Sequence, residues 1–181
     1  MFNPGQFVVY PAQGVGVIER MERQELAGFS ADFYIVRIIG SNITVMVPVK
    51  SANNTGLRSL SSKNKAAEVL KSLQDREGVN TFAGQNWNRR QREYTERLKS
   101  GALEDVAGVL KELILISAGK ELSFGEKRLM EQAMDLLSAE MGQVLDKPHE
   151  QIKTEIESYF EDILHPVEEE LPEDPINKIR H

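Results

Sequence analysis

Seven consecutive residues, Asn86-Trp87-Asn88-Arg89-Arg90-Gln91-Arg92, set the single tryptophan of a 181-residue chain beside three arginines. A large flat apolar side chain next to cations is the pairing with which minor-groove binders wedge a base step and hold the flanking phosphates. The same residues also suit a structural role, with Trp87 as a buried anchor and the arginines as a solvated helix face. Both readings stand on these seven residues alone. Little else in the chain is equipped for chemistry. There is no cysteine, which excludes disulfides and thiolate metal sites. The three histidines, His149, His165 and His181, all follow residue 145 and lack the spacing of metal ligands. Gly14-Val15-Gly16 has no third glycine at the offset of a dinucleotide loop, and neither a Walker loop nor a nucleophile elbow occurs. The expectation is a protein that is not an enzyme and uses no cofactor or metal.

A net charge of −6 argues at first against a polyanionic partner, but its distribution reverses that. Residues 1–60 hold 5 Lys/Arg and 4 Asp/Glu, a balance of +1, and residues 61–100 hold 9 and 5, a balance of +4. Residues 101–145 carry −4, from 4 and 8, and residues 146–181 carry −7, from 4 and 11. The positive charge therefore gathers around Trp87, and local potential steers a polyanion more than the global sum does. No apolar run approaches the roughly 18 residues of a membrane span, and the N-terminus has no signal-peptide pattern, so a cytoplasmic protein is expected.

The elements that must position Trp87 change character near residue 60. Before it, Gln6–Tyr10, a stretch from Val15, Phe33–Ile39 and Ile43–Val47 read as strands, with turns at Gly14–Gly16, Leu26–Gly28 and Gly40–Asn42. They predict a small antiparallel β-barrel of the SH3 or Tudor kind over 1–60. Pro48 cannot donate to a ladder, which places it at an edge or a strand end; such an edge is either a place where another protein adds a strand or one that the proline simply protects. Residues 61–84 read as a connecting helix and a linker. Over 85–145 apolar residues recur at three and four, predicting an all-α bundle. Trp87, Gln91, Tyr94 and Leu98 share one face of its first helix, and Ser123-Phe124-Gly125-Glu126 is a capping box. Residues 146–181 form an acidic extension, with an amphipathic helix that can cap the bundle or dock on a partner, capping being the expectation, and a disordered end from Val167. The fold class is thus α+β in two domains.

The order of these modules carries a resemblance. Val9-Tyr-Pro-Ala-Gln-Gly-Val-Gly16, Thr44-Val-Met-Val-Pro48 and Gly56-Leu-Arg58 resemble the polymerase-interacting domain of the CarD/CdnL family of bacterial transcription regulators. Asn86-Trp-Asn-Arg-Arg90, Lys99-Ser-Gly101 and Leu122-Ser-Phe-Gly-Glu-Lys-Arg128 resemble that family's C-terminal DNA-binding domain, in the same order. The resemblance covers roughly residues 2–145 and is nearest to the CdnL branch. It implies a Tudor-like module gripping the RNA polymerase β subunit and a helical domain at the upstream edge of the promoter bubble, near the −10 element. There a tryptophan enters the minor groove without reading sequence and favours the open complex. Trp87 matches that wedge; Arg89, Arg92 and Lys127 match cations that contact DNA backbone, with Arg90 added by adjacency. Val36, Met46 and Pro48 match the apolar set that meets polymerase. Other branches carry arginine where this chain has Gln24 and Met46, which implies a more apolar grip. The founding member's basic extension is replaced here by an acidic one. A monomer that binds polymerase and promoter DNA is the resulting expectation. The alternatives are a piece of a transcription-repair coupling factor, whose helicase motifs are absent, and an adaptor of polymerase in which Trp87 is core.

Overall fold

The computed structural model describes residues 1–76 and 86–166. The linker expected at 78–84 and the disordered end expected from Val167 lie outside the described residues. Within them the alternation of apolar and polar residues yields five strands, β1 (Phe7–Tyr10), β2 (Gly14–Leu26), β3 (Phe29–Ile38), β4 (Thr44–Pro48) and β5 (Arg58–Ser59). They form one antiparallel sheet in the order β4-β3-β2-β1-β5. Strand β4, which ends in Pro48, is an edge, where the missing proline N–H leaves no ladder bond broken. Val8, Ile18, Tyr34, Val36, Ile38 and Val47 line the inner face together with Ala52 and Leu57. Strand β3 starts at Phe29, four residues earlier than its β-branched stretch suggests. Ser30, Ala31 and Asp32 are poor strand formers, but the Ala27-Gly28 turn, with φ of 52° and 83°, pairs them with β2, and Arg23 clasps Asp32 at 2.9 Å.

The second half is helical: α1 (Lys63–Gln74), α2 (Trp87–Ser100), α3 (Leu103–Ser117), α4 (Phe124–Leu145), α5 (His149–Ser158) and the short α6 (Glu161–Leu164). Its core is wider than the 85–145 span expected from sequence. Helix α1, read as a connector, puts Val69 and Leu73 into the same cluster as Leu110, Leu113 and Leu137. Ile152 and Ile156 of α5, with Phe160 just beyond, are fully buried in it too. The amphipathic helix of the extension therefore closes the bundle, and burying each of these large side chains is worth about 1.5–3 kcal/mol. Among the described residues no helix is long and apolar enough to cross a membrane.

The two halves meet through a buried polar junction. Arg58 of β5 forks onto Glu140 of α4, with Nη1 donating to Oε1 at 2.8 Å and Nη2 to Oε2 at 2.7 Å. The same guanidinium donates to the Gly101 carbonyl at the end of α2, and Ser61 donates to Glu140 through its N–H and its hydroxyl. Pro11, in the turn between β1 and β2, lies between Gly56 and Gly101, where an added Cβ would come within 2.6 and 3.3 Å of its ring. Three of the short motifs quoted above, around Pro11, Arg58 and Gly101, thus converge on one joint. That joint fixes how the sheet and the helical half face one another.

Candidate nucleic-acid interface

Helix α2 begins where its sequence sets it. Asn86 is the N-cap, its side-chain oxygen accepting the Asn88 N–H at 3.0 Å, which leaves Trp87 as the first helical residue. Gly101 ends the helix in the left-handed conformation, φ 70°, which its missing Cβ allows. Each helical residue turns by about 100°, so Trp87, Arg90, Tyr94 and Leu98 share the inward side and Arg89 and Arg92 share the outward one. Arg90, Tyr94 and Leu98 are buried, Trp87 is half-buried, and Arg89 and Arg92 are exposed. The stripe is therefore rotated from the expected one, with Arg90 inside and Gln91 exposed.

The partner of this end of α2 is the start of α4. Ser123 caps α4 and Glu126 completes the capping box, accepting the Ser123 N–H at 2.8 Å. The same carboxylate binds Arg90 at 2.5 Å and Lys120 at 3.0 Å and is almost fully buried. Burial opposes its ionisation, yet the Ser123 N–H, the Lys120 ammonium and the Ser123 hydroxyl outweigh that and hold its pKa down at about 2. Glu126 is accordingly a fixed negative charge in a cationic neighbourhood. The Arg90 guanidinium that it anchors sits 5.8 Å from the centroid of the Trp87 ring, in cation–π range. Phe124, the first residue of α4, is 81% exposed. Next to it, Lys127 is exposed and pairs with Glu121 at 2.9 Å, a contact that lowers the pKa of that carboxyl.

The residues singled out from sequence divide into two groups. Trp87, Arg89 and Arg92 lie in the first two turns of α2 and Lys127 in the first turn of α4; the three cations are exposed, and the Trp87 ring lies against α4 at Gly125. Arg90 does not belong with them. At 5% exposure and paired with Glu126, it is a structural cation, because the inward phase of α2 carries it into the bundle. Sequence reasoning missed Gly125, Glu126 and Lys120. Glu126 was read as helix punctuation and as part of a family motif, and its spacing from Ser123 gave no sign of a second partner in α2.

On the β-domain the expected polymerase set also divides. Met46 is 46% exposed and Pro48 half-buried, both on the outer face of the edge strand. Cross-strand neighbours share a face, and Met46 pairs with Ile35, Pro48 with Phe33 and Phe33 with Glu22. Gln24 falls on that face by the same alternation. Val36 pairs with Val45 and points the other way, into the core, at 0% exposure. It cannot meet a partner, and the expectation that it does is corrected by the strand phase.

Two family descriptions fit this chain. The CarD-like/TRCF RID domain matches residues 2–61, and the CarD C-terminal domain matches residues 64–157. The second match takes in α1 and nearly all of α5, the helices that share one core with α2 to α4. A protein of Bacillus subtilis (strain 168), YdeB, described as a candidate transcription factor, is 27% identical over 154 residues, 85% of this chain and 99% of that protein.

Proposed function

The chain belongs to the CarD family, and we propose that it holds RNA polymerase through its sheet edge while a tryptophan braces the opened promoter. The family is one of transcription regulators that act with RNA polymerase, not of enzymes. The finer reading rests above all on one observation. Trp87 starts a helix at a corner where α2 meets α4, half-buried against Gly125, with exposed Arg89 and Arg92 on the outward face of the same helix end and exposed Lys127 in the first turn of α4. A base step already unstacking at the bubble edge is cheaper to wedge than intact duplex, so an aromatic at that corner binds the open form better and shifts the equilibrium toward it. The cations add affinity and register but no sequence preference. Arg90 has no part in the contact; its role lies within the fold. Met46 and Pro48 supply the polymerase side, on the outer sheet face and at an edge to which a strand of the β subunit can add. The protein works as a monomer at the nucleoid, without cofactor.

Open-complex lifetime on a promoter fragment tests the reading. Trp87→Ala should shorten it while leaving polymerase affinity and the thermal midpoint nearly as they are. A wild-type protein without effect on that lifetime, coupled with a Trp87→Ala chain that unfolds, would point to a polymerase adaptor with no DNA contact. Met46→Ala with Pro48→Ala should abolish β-subunit binding, and wild-type binding should change little with salt, since the grip is apolar. Retained binding in that double variant would remove the edge strand from the proposal.

A further inference from the structure

The seat beneath Trp87 has a residue whose type the backbone does not demand. Gly125 lies in the first turn of α4 and is absent from the residues with positive φ, so its conformation suits any amino acid. Alanine is the better helix former there. The reason for glycine is space: a Cβ at 125 would meet Trp87 Cζ2 at 2.9 Å and Cε2 and Cη2 at 3.7 Å. The six-membered ring of the indole thus lies directly on the α4 backbone. The Arg90 guanidinium stands 5.8 Å from the ring centroid, and Arg90 is itself anchored by Glu126, the residue after Gly125.

We infer that Gly125, with the Arg90–Glu126 pair, is a positioning element for Trp87: it seats the indole in one orientation so that contact with DNA requires no ordering of the side chain. This inference rests on the proposed role of Trp87. An indole at the first position of a helix otherwise explores several rotamers, and fixing it only on binding weakens the complex. The seat removes that loss beforehand. It also couples the ring to α4, so that a shift at the Ser123 cap moves the wedge.

Gly125→Ala in the full-length chain tests this directly. The new methyl opposes the far end of a half-buried side chain, so the displacement falls on the indole and not on the helix. Because Trp87 is the only tryptophan, the emission of the isolated protein reports on that ring alone. We expect shifted emission and easier acrylamide quenching, a thermal midpoint equal to or above wild type, and unchanged polymerase affinity. Open-complex lifetime should lose most of what Trp87→Ala removes. Gly119→Ala is the control, since its Cβ would meet nothing nearer than 3.9 Å, and it should alter neither emission nor lifetime. Arg90→Lys, which keeps the charge facing Glu126 but loses the planar cover, should shift the emission in the same sense. Wild-type emission in Gly125→Ala, or wild-type lifetime despite shifted emission while Trp87→Ala shortens it, would overturn the seat. If Trp87→Ala leaves the lifetime unchanged as well, the wedge itself fails and the seat loses its purpose with it.

Discussion

Two of the chain's Arg–Glu pairs, one inside the helical half and one between that half and the sheet, do different work. Arg90–Glu126 is sealed on both sides, with side chains 5% and 1% exposed, and joins two helices of one domain beside the ring of Trp87. Arg58–Glu140 is sealed only on the carboxylate side, at 29% and 4%, and joins one domain to the other. A buried charge pair adds little net stability over an apolar substitute, but losing one partner strands the other charge. What such pairs contribute instead is a geometry. The first fixes where an indole sits, and the second fixes which way two surfaces point.

The largest effect separating them should come from Glu126→Gln. It leaves the Arg90 guanidinium enclosed without its counter-charge, at a cost of about 3–5 kcal/mol, roughly a 10 °C fall in thermal midpoint for a chain of this size. The Trp87 emission should move with it. An unmoved emission would make this pair no more than a helix–helix staple.

The acid side of stability sharpens the same contrast. The folded pKa of Glu126, at about 2, lies below the usual 4.5, so its stabilisation is complete above the unfolded value and drains as pH falls from about 5 toward 2. Urea midpoints across that interval should fall for wild type and fall less steeply in Glu126→Gln, where the other lowered carboxylates still titrate. Equal slopes in the two proteins would show that Glu126 is not the group responsible.

Glu140→Gln should cost less, about 1–3 kcal/mol, since the one-third-exposed Arg58 can recruit water. Its signature is a broadened distance between spin labels on Asn54→Cys and Glu96→Cys, which are exposed positions in the two domains of a cysteine-free chain. Trp87 emission should stay put. A distance as narrow as wild type would show that the Pro11 contacts hold the joint unaided.

The smallest effect on the fold belongs to Arg89→Ala with Arg92→Ala, which lie outside both pairs. Thermal stability should not change, whereas the slope of log affinity for promoter DNA against log salt should fall by about 2 if each cation neutralises one phosphate. An unchanged slope would remove them from the interface.

How much of this was legible in the sequence depends on which residues are considered. The strands, the edge position of β4 and the capping of α4 followed from local rules, because alternation, proline and a Ser–Glu box act over a few residues. The candidate site was proposed from the grouping of Trp87 with basic residues, of which Arg89, Arg92 and Lys127 are exposed. Arg90 and Val36 were misplaced for one physical reason: the phase of the element turns each inward while the adjacent positions point to the opposite face. A register worked out from the Gly40–Asn42 turn pairs Met46 with Ile35 and turns Val36 inward. No comparable local rule covers Arg90. Its burial depends on a carboxylate 36 positions away, and an arginine on an amphipathic helix is ordinarily solvated. The place of α1 and α5 in the bundle was hidden similarly, because an apolar stripe shows that a helix must be covered but not by what.

The junction also has a consequence for the order of events during synthesis. Arg58 and Glu140 are 82 positions apart, so at ribosomal rates of about 5–20 residues per second the sheet is complete some 4–16 s before the carboxylate that orients it has been made. Through that interval the nascent β-domain is finished yet unaimed. The surface proposed for polymerase is ready first, and its orientation relative to the proposed DNA contact is set only as α4 emerges.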